Sequence, residues 1–342
     1  DTMDTFFDSS WYFLRFCDPK NSKAPFASEK ANYWCPVDVY IGGAEHACMH
    51  LIYARFFTKF LRDIGMVEFG EPFAKLFNQG MVHGEDGAVM SKSRGNVATP
   101  EEFEERYGLD SARLFLVSIA SPDKDIIWRK DGIESAWKFL SRVYWLVKNA
   151  KPSSSSPYFQ HKLNKAVREV TELIEDFKYN LALIKLREVF ELAFREKGIA
   201  KSDLEKLVQM LAPFCPRFAE EFWSMLGNEK FVALTSWPES DASKIDERFD
   251  KMEELTSRVV EDVQNILNVI EKKSGEKVEA NSKDVYIYAI PSEVELIQAG
   301  EIERRVGAVR KAKVFAVNDA AKHDPEGKAA RAKPGKPAIY IE

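Results

Sequence analysis

The residues best suited to chemistry in this chain are a lysine and two serines that stand side by side. Lys92 lies between Ser91 and Ser93, and Gly95 follows them closely. A lysine presents a compact charge with three hydrogen-bond donors, and the serine hydroxyls add further donors. On a mobile loop that a glycine ends, these groups can reach the phosphates of a nucleotide. An ordinary basic surface turn is the alternative interpretation of so short a segment.

An element that could hold such a nucleotide lies earlier in the chain. Apolar residues alternate with others over residues 37–41, which predicts a half-buried strand, and Gly42 and Gly43 then allow a tight turn and a close approach by a ligand. A helical pattern follows from about Glu45 to Arg62, and the start of a helix presents unpaired N–H groups. Glu45 can accept hydrogen bonds from ribose hydroxyls, or it can complement the helix dipole.

Two histidines of this predicted helix are candidates for a ligand pocket. His46 and His50 are one helical turn apart and therefore lie on one face. The spacing would permit a shared metal ion, but no glutamate follows His46 as it does in a His-Glu-x-x-His zinc helix, so we predict no metal. Packed and hydrogen-bonded histidines are the plainer alternative.

These segments, in this order, resemble the leucine branch of the class I aminoacyl-tRNA synthetases. Residues 89–93 (Val-Met-Ser-Lys-Ser) stand where the family carries Lys-Met-Ser-Lys-Ser, with Val89 in place of the first lysine. Residues 1–12 and 37–51 match two further family segments. Residues 7–11 read Phe-Asp-Ser-Ser-Trp, which differs from the Trp-Phe-Asp-Ser-Gly pattern of the isoleucine and valine enzymes and favours the leucine branch.

The resemblance implies ATP-dependent activation of leucine and transfer of the leucyl group to tRNA(Leu), with Mg²⁺ accompanying ATP. It assigns catalysis to Lys92, Ser91 and Ser93. It implies ATP-binding roles for Gly42, Gly43, Glu45, Met81, Val82, Val89, Met90 and Lys92. It implies a leucine pocket lined by Phe6, Ser9, Tyr12, His46 and His50. The segment around Phe6 begins as an extended run, and core packing is the alternative for its aromatic residues, which we prefer for Trp11.

The domain organisation follows from the same resemblance and from periodicity. Residues 1–82 are expected to be an α/β remnant of the class I nucleotide-binding, Rossmann-like fold, and residues 83–131 to hold the lysine loop (residues 89–97) and a connector. Residues 132–244 are expected to be a helical bundle that docks the anticodon stem of tRNA. Residues 245–342 are expected to be a small α+β domain that binds tRNA.

Periodicity predicts several elements within these domains. Thr99 and Pro100 are expected to cap and begin a helix. Apolar residues at steps of three and four between Leu163 and Ile184 predict one continuous apolar helix face. A helix is predicted from Asp246 to Lys273, with Gly275 ending it. Strands are predicted over residues 285–290, 314–317 and 338–341.

Composition sets the class of protein. The chain has 342 residues, of which 45% are hydrophobic and 30% are charged, as in globular proteins of two or three domains. No apolar run is long enough to span a membrane. The four cysteines form no Cys-x-x-Cys pair, so neither a zinc knuckle nor a disulfide framework is predicted. We expect a cytoplasmic protein with reduced thiols.

The net charge of −5 is unevenly distributed. From Arg304 to Glu342 there are ten Lys or Arg and four Asp or Glu, which leaves that segment at +6 and the remainder at −11. A basic tail on an acidic body predicts contact with a polyanion, although a solvated chain end is the alternative. The residues expected to bind tRNA are Arg304, Arg305, Arg310, Lys311 and Lys313.

One family element does not occur in the sequence. No His-x-Gly-His segment is present, although it opens the first half of the family's nucleotide fold. We therefore expect that the N-terminal half of the synthetase, with its editing domain, is a partner in cis or as a separate subunit. The chain is expected to be inactive without it. The alternatives are a non-catalytic tRNA-binding or assembly protein derived from a synthetase, and a nucleotidyl-transferring enzyme that acts on another substrate.

Overall fold

The computed structural model describes residues 5–91, 93, 95–97, 101–129 and 131–342. The chain divides into two compact units, one made of residues 1–155 and 166–239, the other of residues 156–165 and 240–342. The helices in the described residues are α1 (Thr5–Ser9), α2 (Tyr12–Cys17), α3 (Ser28–Trp34), α4 (His50–Asp63), α5 (Glu101–Tyr107), α6 (Leu109–Ile119), α7 (Asp131–Lys148), α8 (Pro157–Glu175), α9 (Tyr179–Ala193), α10 (Lys201–Leu211), α11 (Pro216–Met225), α12 (Glu247–Ser274) and α13 (Ala299–Arg305). The strands are β1 (Val37–Gly43), β2 (Phe73–Gln79), β3 (Val82–His83), β4 (Ile126–Ile127), β5 (Lys283–Ala289), β6 (Val309–Ala316) and β7 (Ala338–Ile341).

The first unit opens with a β-α-β arrangement. Strands β1 and β2 pair in parallel, with Gly43 opposite Gln79, and α4 lies on the connection between them. A parallel pair needs a crossover of this kind because the chain must return to the same end of the sheet. The core beneath it is formed by Phe13, Leu14, Phe26, Ala31, Cys35, Ala54, Leu61 and Val67. The predicted α/β character of this region is confirmed.

Two predicted elements in this region are wrong in detail. The helix expected from Glu45 to Arg62 is a 3-10 turn, Ala44–Ala47, followed by α4 from His50 onward. Met49 separates them because its backbone takes φ −119° and ψ −101°, which no helix accommodates. The run around Phe6, expected to begin extended, is helical in α1 and α2. The Ser10 hydroxyl donates to the Phe6 carbonyl at 2.5 Å and helps to close the first of these helices.

A short parallel pair, β3 with β4, carries the lysine loop. Val82 pairs with Ile126 and His83 with Ile127, and Trp128 then donates its backbone N–H to the His83 carbonyl at 2.8 Å. The Trp128 indole packs against the rings of Phe103 in α5 and Phe115 in α6, with centroids 5.3 and 5.4 Å away. The strand pair β3–β4, from which the lysine loop extends, therefore packs against helices α5 and α6 through Trp128. Thr99 and Pro100, predicted to cap and begin a helix, lie outside the described residues.

The helices after the loop pack closely. A Cβ at Gly132 in α7 would lie 2.0 Å from the Phe115 ring of α6, so only glycine permits this approach. Asp110, 2% exposed, accepts a hydrogen bond from the Phe218 N–H at 2.8 Å and so caps the N-terminus of α11 from another helix. Leu140, Leu186 and several other aliphatic side chains of these helices are fully buried.

The apolar helix face predicted between Leu163 and Ile184 is not continuous. Helix α8 ends at Glu175 and α9 begins at Tyr179, because Phe177 takes a positive φ of 59°. Its ring stacks on Phe77 of β2 at 4.9 Å, and this tertiary contact holds a backbone conformation that phenylalanine rarely adopts. Ile184, predicted to be on the buried face, is 50% exposed.

The second unit is a helix packed on a three-stranded sheet. The sheet order is β6-β5-β7, with β5 parallel to β6 and antiparallel to β7. Helix α12 is capped by the Asp246 side chain, which accepts from the Arg248 N–H, and it ends at Gly275, whose φ is 75°. The predicted helix stop is thus confirmed, and so are the three predicted strands, of which β6 begins earlier than expected. Among the described residues, none of the helices combines the length and the apolar character that a membrane span requires.

Candidate active site

A cleft of about 540 Å³ opens at the carboxyl end of β1. In parallel sheets this end is where ligands are usually held, because the loops that follow the strands converge there. Helices α1 and α2 form another wall of the cleft, and the 3-10 turn after β1 and the first residue of α4 complete it. Its lining residues are Phe6, Asp8, Ser9, Tyr12, Tyr40, Ile41, Gly42, Gly43, Glu45, His46, His50 and Gln79.

The position of His50 in this cleft is determined by two hydrogen bonds. Its side chain is 5% exposed, with Nε2 at 2.5 Å from the Ser9 carbonyl oxygen and Nδ1 at 2.8 Å from the Tyr40 hydroxyl. A carbonyl oxygen can only accept, so Nε2 carries a hydrogen, and Nδ1 can then accept from Tyr40. Burial, with smaller contributions from Tyr12 and Glu45, raises the pKa of Tyr40, which keeps its hydroxyl able to donate.

His46 also lines the cleft, but from a different type of backbone segment than predicted. It lies in the 3-10 turn rather than one turn before His50 in a common helix, yet the two rings meet edge to face with centroids 6.3 Å apart. The His46 Nδ1 atom is buried and has no hydrogen-bond partner among the described residues. A buried polar atom without a partner is unfavourable, so a ligand that hydrogen-bonds there would be stabilised.

Gly43 and Glu45 form a close contact at the rim of the cleft. A Cβ added to Gly43 would lie 2.3 Å from a carboxylate oxygen of Glu45, so a side chain at this position would displace the carboxylate. The Glu45 side chain is 54% exposed, and within the described residues its one ion pair is a 4.0 Å approach to His46. Its oxygens are consequently available as hydrogen-bond acceptors.

The aromatic residues of α1 and α2 divide between cleft and core. Phe6 stacks on Tyr53 at 5.8 Å, and the Tyr12 ring lies 6.2 Å from the ring of His50. Trp11, by contrast, packs against the core beneath the sheet, which confirms the preferred interpretation of that residue.

The lysine loop is organised by an asparagine that sequence reasoning missed. The Asn96 side-chain oxygen accepts from the Ser91 N–H at 2.9 Å, and its amide nitrogen lies 3.4 Å from the Val89 carbonyl and 3.3 Å from a carboxylate oxygen of Asp86. The Ser91 and Ser93 hydroxyls are 2.8 Å apart. Asparagine is a usual residue for such local bonds, and its place next to Gly95 was the available signal.

The remaining predicted ATP-binding residues lie at the base of this loop. Met90 donates its N–H to the Val82 carbonyl at 2.9 Å, and Val89 bridges to His83. Met81, 40% exposed, donates its N–H to Asp125 at 2.7 Å. All four are described residues, and none belongs to the lining of the cleft. Lys92, predicted to be catalytic, lies outside the described residues. Tyr40, Asp8 and Gln79 line the cleft without having been predicted to.

The basic residues predicted to bind tRNA lie in two settings in the second unit. Arg304 and Arg305 end helix α13, where both pair with Glu301 and Arg305 also pairs with Glu253 at 2.7 Å. Arg310, Lys311 and Lys313 lie on the edge strand β6 and are exposed. Arg310 pairs with Asp284, and the Lys313 ammonium lies 5.4 Å from the Tyr286 ring. No group of three metal-binding side chains occurs among the described residues.

Two known families match this chain, one over its first part and the other over its middle part. The family described as tRNA synthetases class I (I, L, M and V) matches residues 1–129, and that described as the anticodon-binding domain of tRNA ligase matches residues 157–287. These matches do not favour the alternative of a non-catalytic protein derived from a synthetase.

Individual proteins give a narrower comparison. The leucine-tRNA ligase of Geobacter sp. (strain M21) is 43% identical over 72% of this chain and 32% of its own length. That of Thermotoga maritima is 41% identical over 72% of this chain and 33% of its own length. The ternary complex of Agrobacterium radiobacter K84 agnB2 LeuRS with tRNA and LeuAMS has a TM-score of 0.65 and 36% identity, and covers 72% of this chain and 34% of that chain.

The chain thus spans about a third of the length of the curated relatives it matches. Three observations point to the same family. They are the order of the motifs, the cleft at the end of a parallel strand and the similarity to these proteins. Both family matches, the curated relatives and the LeuRS structure fit part of a leucine-tRNA ligase, which is a class I aminoacyl-tRNA synthetase.

Proposed function

We propose that this chain supplies the leucine pocket and the lysine loop of a leucine-tRNA ligase, which activates leucine with ATP and passes it to tRNA(Leu). The observation that carries the proposal is the shared cleft at the end of β1. Five residues predicted for leucine and three predicted for ATP line it together, although they come from separate segments of the chain. A concave site with an apolar wall and a few polar groups is typical of small-ligand sites.

The lining of the cleft suits a branched aliphatic amino acid. Phe6, Tyr12 and Ile41 offer apolar surface for a leucine side chain, which is recognised chiefly by burial. The unpartnered Nδ1 of His46 and the available carboxylate of Glu45 offer hydrogen bonds to the polar parts of leucine and ribose. The bonds from His50 to Ser9 and Tyr40 hold that wall in one arrangement before a ligand arrives.

The chemistry proposed at this site is formation of an adenylate. A leucine carboxylate oxygen attacks the α-phosphorus of ATP, the bond to the β-phosphate oxygen breaks, and pyrophosphate leaves. Such transfer depends on positioning and on stabilisation of charge rather than on a protein nucleophile. Lys92 would neutralise charge on the leaving pyrophosphate, with Ser91 and Ser93 as further donors. Mg²⁺ would accompany ATP and needs no cage of protein ligands.

For tRNA, we propose that the exposed residues of β6 are the binding surface in the second unit. Lys311 and Lys313 are both exposed, so their charges can meet a phosphate. The Lys313 ammonium also lies 5.4 Å from the centre of the Tyr286 ring. Arg304 and Arg305 already form ion pairs with carboxylates, and a phosphate would have to displace Glu301 or Glu253. Arg310 would likewise have to leave Asp284. Replacing Lys311 and Lys313 by alanine should flatten the salt dependence of tRNA binding by about 0.9 in slope for each phosphate that is no longer neutralised.

We also propose that the first unit binds the N-terminal half of the synthetase. Among the described residues, β1 pairs with β2 alone, and its other edge is unpaired. Large apolar side chains near this edge are exposed, including Phe16 at 73%, Trp34 at 66% and Ile41 at 51%. An unpaired edge beside apolar surface is a typical site for adding a strand from another segment.

A chimera tests the proposed function. The chain would replace the region that it matches in the Geobacter sp. leucine-tRNA ligase, and ATP-pyrophosphate exchange would be measured with each amino acid. We expect exchange that depends on leucine. A folded chimera that shows no exchange with leucine, or equal exchange with unrelated amino acids, would overturn the proposal.

Substitution of the lysine provides the matched control. Lys92→Ala in the same chimera should slow adenylate formation by an amount equivalent to roughly 3 kcal/mol of activation free energy, as for loss of one preorganised donor. Binding of leucine should change little, since the lysine acts on the leaving group. A rate within twofold of the parent chimera would remove Lys92 from the mechanism while leaving the leucine pocket in place.

A further inference from the structure

A second cavity, of about 490 Å³, adjoins the candidate leucine cleft and has two thiols in its wall. It shares Tyr12, Tyr40 and Ile41 with the cleft. Its other lining residues are Phe13, Phe16, Cys17, Trp34, Cys35, Val37, Val39 and Phe73. Most of this lining is aromatic or aliphatic, so the thiols of Cys17 and Cys35 are its most nucleophilic groups. The function proposed above uses neither of them.

The two sulfur atoms are close enough to react with each other. They are 3.8 Å apart, and both cysteines are free. Cys17 is the last residue of α2, and Cys35 follows α3 directly, immediately before the segment that becomes β1. A disulfide requires the sulfurs to approach to about 2.05 Å.

The surroundings distinguish the two thiols. Cys17 is half-buried, whereas Cys35 is 7% exposed. Burial, and then the neighbouring Cys17 sulfur, raises the pKa of Cys35 to about 12, so that this group remains a thiol. Because oxidation begins at the more accessible sulfur, Cys17 is the first to react and Cys35 the second. The other two cysteines of the chain have environments unlike those of this pair. Cys48 is exposed, and Cys215 is buried among the helices of the first unit.

We propose that Cys17 and Cys35 are a reversible dithiol–disulfide site. With hydrogen peroxide as oxidant, the Cys17 sulfur takes one oxygen to become a sulfenic acid, and the first water leaves. The Cys35 sulfur then attacks the Cys17 sulfur, the S–S bond forms, and the departing hydroxyl takes the Cys35 proton as the second water. The two sulfurs together lose two electrons, and the peroxide gains them. A dithiol reductant reverses the reaction by exchange.

The disulfide would connect two walls of the neighbouring cleft. Tyr12 begins the helix that Cys17 ends, and Tyr40 lies in the strand that follows Cys35. A covalent link between these elements would restrict the distance between the two tyrosines, and ligand binding between them should change with oxidation. This consequence rests on the proposed function, whereas the disulfide itself does not.

Peptide mapping tests the site directly. The chain would be treated with hydrogen peroxide, denatured, alkylated with N-ethylmaleimide, digested and measured by mass spectrometry. We expect a cross-linked pair of peptides that contain Cys17 and Cys35, with Cys48 and Cys215 alkylated or singly oxidised. Cys48→Ser should retain the cross-link, and Cys17→Ser should abolish it and leave Cys35 open to alkylation. Recovery of Cys17 and Cys35 without a link between them would overturn the proposal.

A second probe does not depend on oxidation. Phenylarsine oxide binds two neighbouring thiols together, so the Cys48→Ser chain should bind one arsenical, and either Cys17→Ser or Cys35→Ser should remove that binding. Retained binding in both of those variants would also contradict the proposal. In the chimera, oxidation should change leucine-dependent exchange at least threefold, reversibly with dithiothreitol. An unchanged rate in a cross-linked sample would overturn the effect on the cleft. A chimera without exchange would instead count against the proposed function.

Discussion

Strands β1 and β5 contain the same four residues in two different environments. Residues 38–41 and residues 284–287 both read Asp-Val-Tyr-Ile, and each strand has seven residues. In β1, Ile41 is 51% exposed, whereas in β5 the equivalent Ile287 is fully buried. Within the described residues, β1 has one neighbouring strand, but β5 has two and also lies beneath the core formed with α12. Burial is therefore set by what surrounds a strand, and one sequence can form either the wall of a cleft or part of a core.

The largest effect should come from the two isoleucines of this tetrapeptide. Ile287→Ala removes buried methyl and methylene groups and leaves a cavity, so we expect a loss of about 4 kcal/mol in the free energy of unfolding. Ile41→Ala, on the exposed side of β1, should cost less than about 1 kcal/mol. Urea unfolding of both variants measures the difference. Equal losses would mean that β1 is covered in solution, for example by a second copy of the chain.

Tyr40 and Tyr286, the tyrosines of the two tetrapeptides, should differ in their effect on leucine binding. Tyr40→Phe removes the partner of the buried Nδ1 atom of His50, so the free energy of unfolding should fall by about 2 kcal/mol, the cost of one unsatisfied buried group. Leucine affinity in the chimera should fall as well, because His50 is then no longer held in one arrangement. Tyr286→Phe is the matched control in β5. It should leave leucine affinity unchanged because Tyr286 packs with Phe315 and Tyr340 in the second unit. Titration with leucine separates the two, and an unaffected Tyr40→Phe variant would show that His50 is held by Ser9 alone.

The residues that follow the tetrapeptide differ, with Gly42-Gly43 in β1 and Tyr288-Ala289 in β5. Gly43→Ala should push the Glu45 carboxylate from the rim, and we expect about tenfold weaker ATP binding, or roughly 1.4 kcal/mol. Glu45→Ala provides the control, because in that background the methyl group at position 43 has no carboxylate to displace. ATP titrations of chimeras with Gly43→Ala, with Glu45→Ala and with both changes provide the measurement. A further loss when Gly43→Ala is added to Glu45→Ala would mean that the loss at Gly43 does not act through Glu45.

The smallest effect should come from Asp38 and Asp284, the aspartates that begin the two tetrapeptides. Hydrogen bonding to Arg310 lowers the pKa of Asp284 in the folded chain. A lowered folded pKa stabilises the fold above the unfolded value of about 3.9, and this contribution disappears as the pH falls through the folded pKa. Asp284→Asn should therefore reduce the loss of stability on acidification below about pH 4, while Asp38→Asn serves as the control. Unfolding curves at about pH 6 and about pH 3, on either side of that unfolded value, would show this, and identical pH dependence in both variants would contradict it.

Much of the fold could be predicted because its signals act over a few residues. Asp246 caps α12 and Gly275 ends it, as expected from residues that respectively accept from a helix N–H and adopt a positive φ. The strands of the second unit followed from their runs of β-branched and aromatic residues. The helix over residues 45–62 could not be predicted correctly, because a break at Met49 carries no glycine or proline to signal it.

The candidate site could be predicted only where a segment carried its own pattern. The lysine loop and the pair Gly42-Gly43 could be identified from such local patterns. The asparagine that ties Ser91 to Val89 was missed because its role appears only when the loop closes on itself. Tyr40 was missed because an alternating pattern assigns it to a strand without showing that His50 would lie against it.

By itself, then, the sequence determined the types of most elements, the two ends of α12 and the identity of the residues that could do chemistry. These depend on backbone preferences and on hydrogen bonds between neighbours, which few residues decide. Only the tertiary structure decided that Asp-Val-Tyr-Ile forms a cleft wall in one place and a core in the other, that Phe177 interrupts a helical pattern, and that two thiols distant in sequence lie 3.8 Å apart. Burial and contact depend on which elements pack on each side, and that is a property of the whole chain.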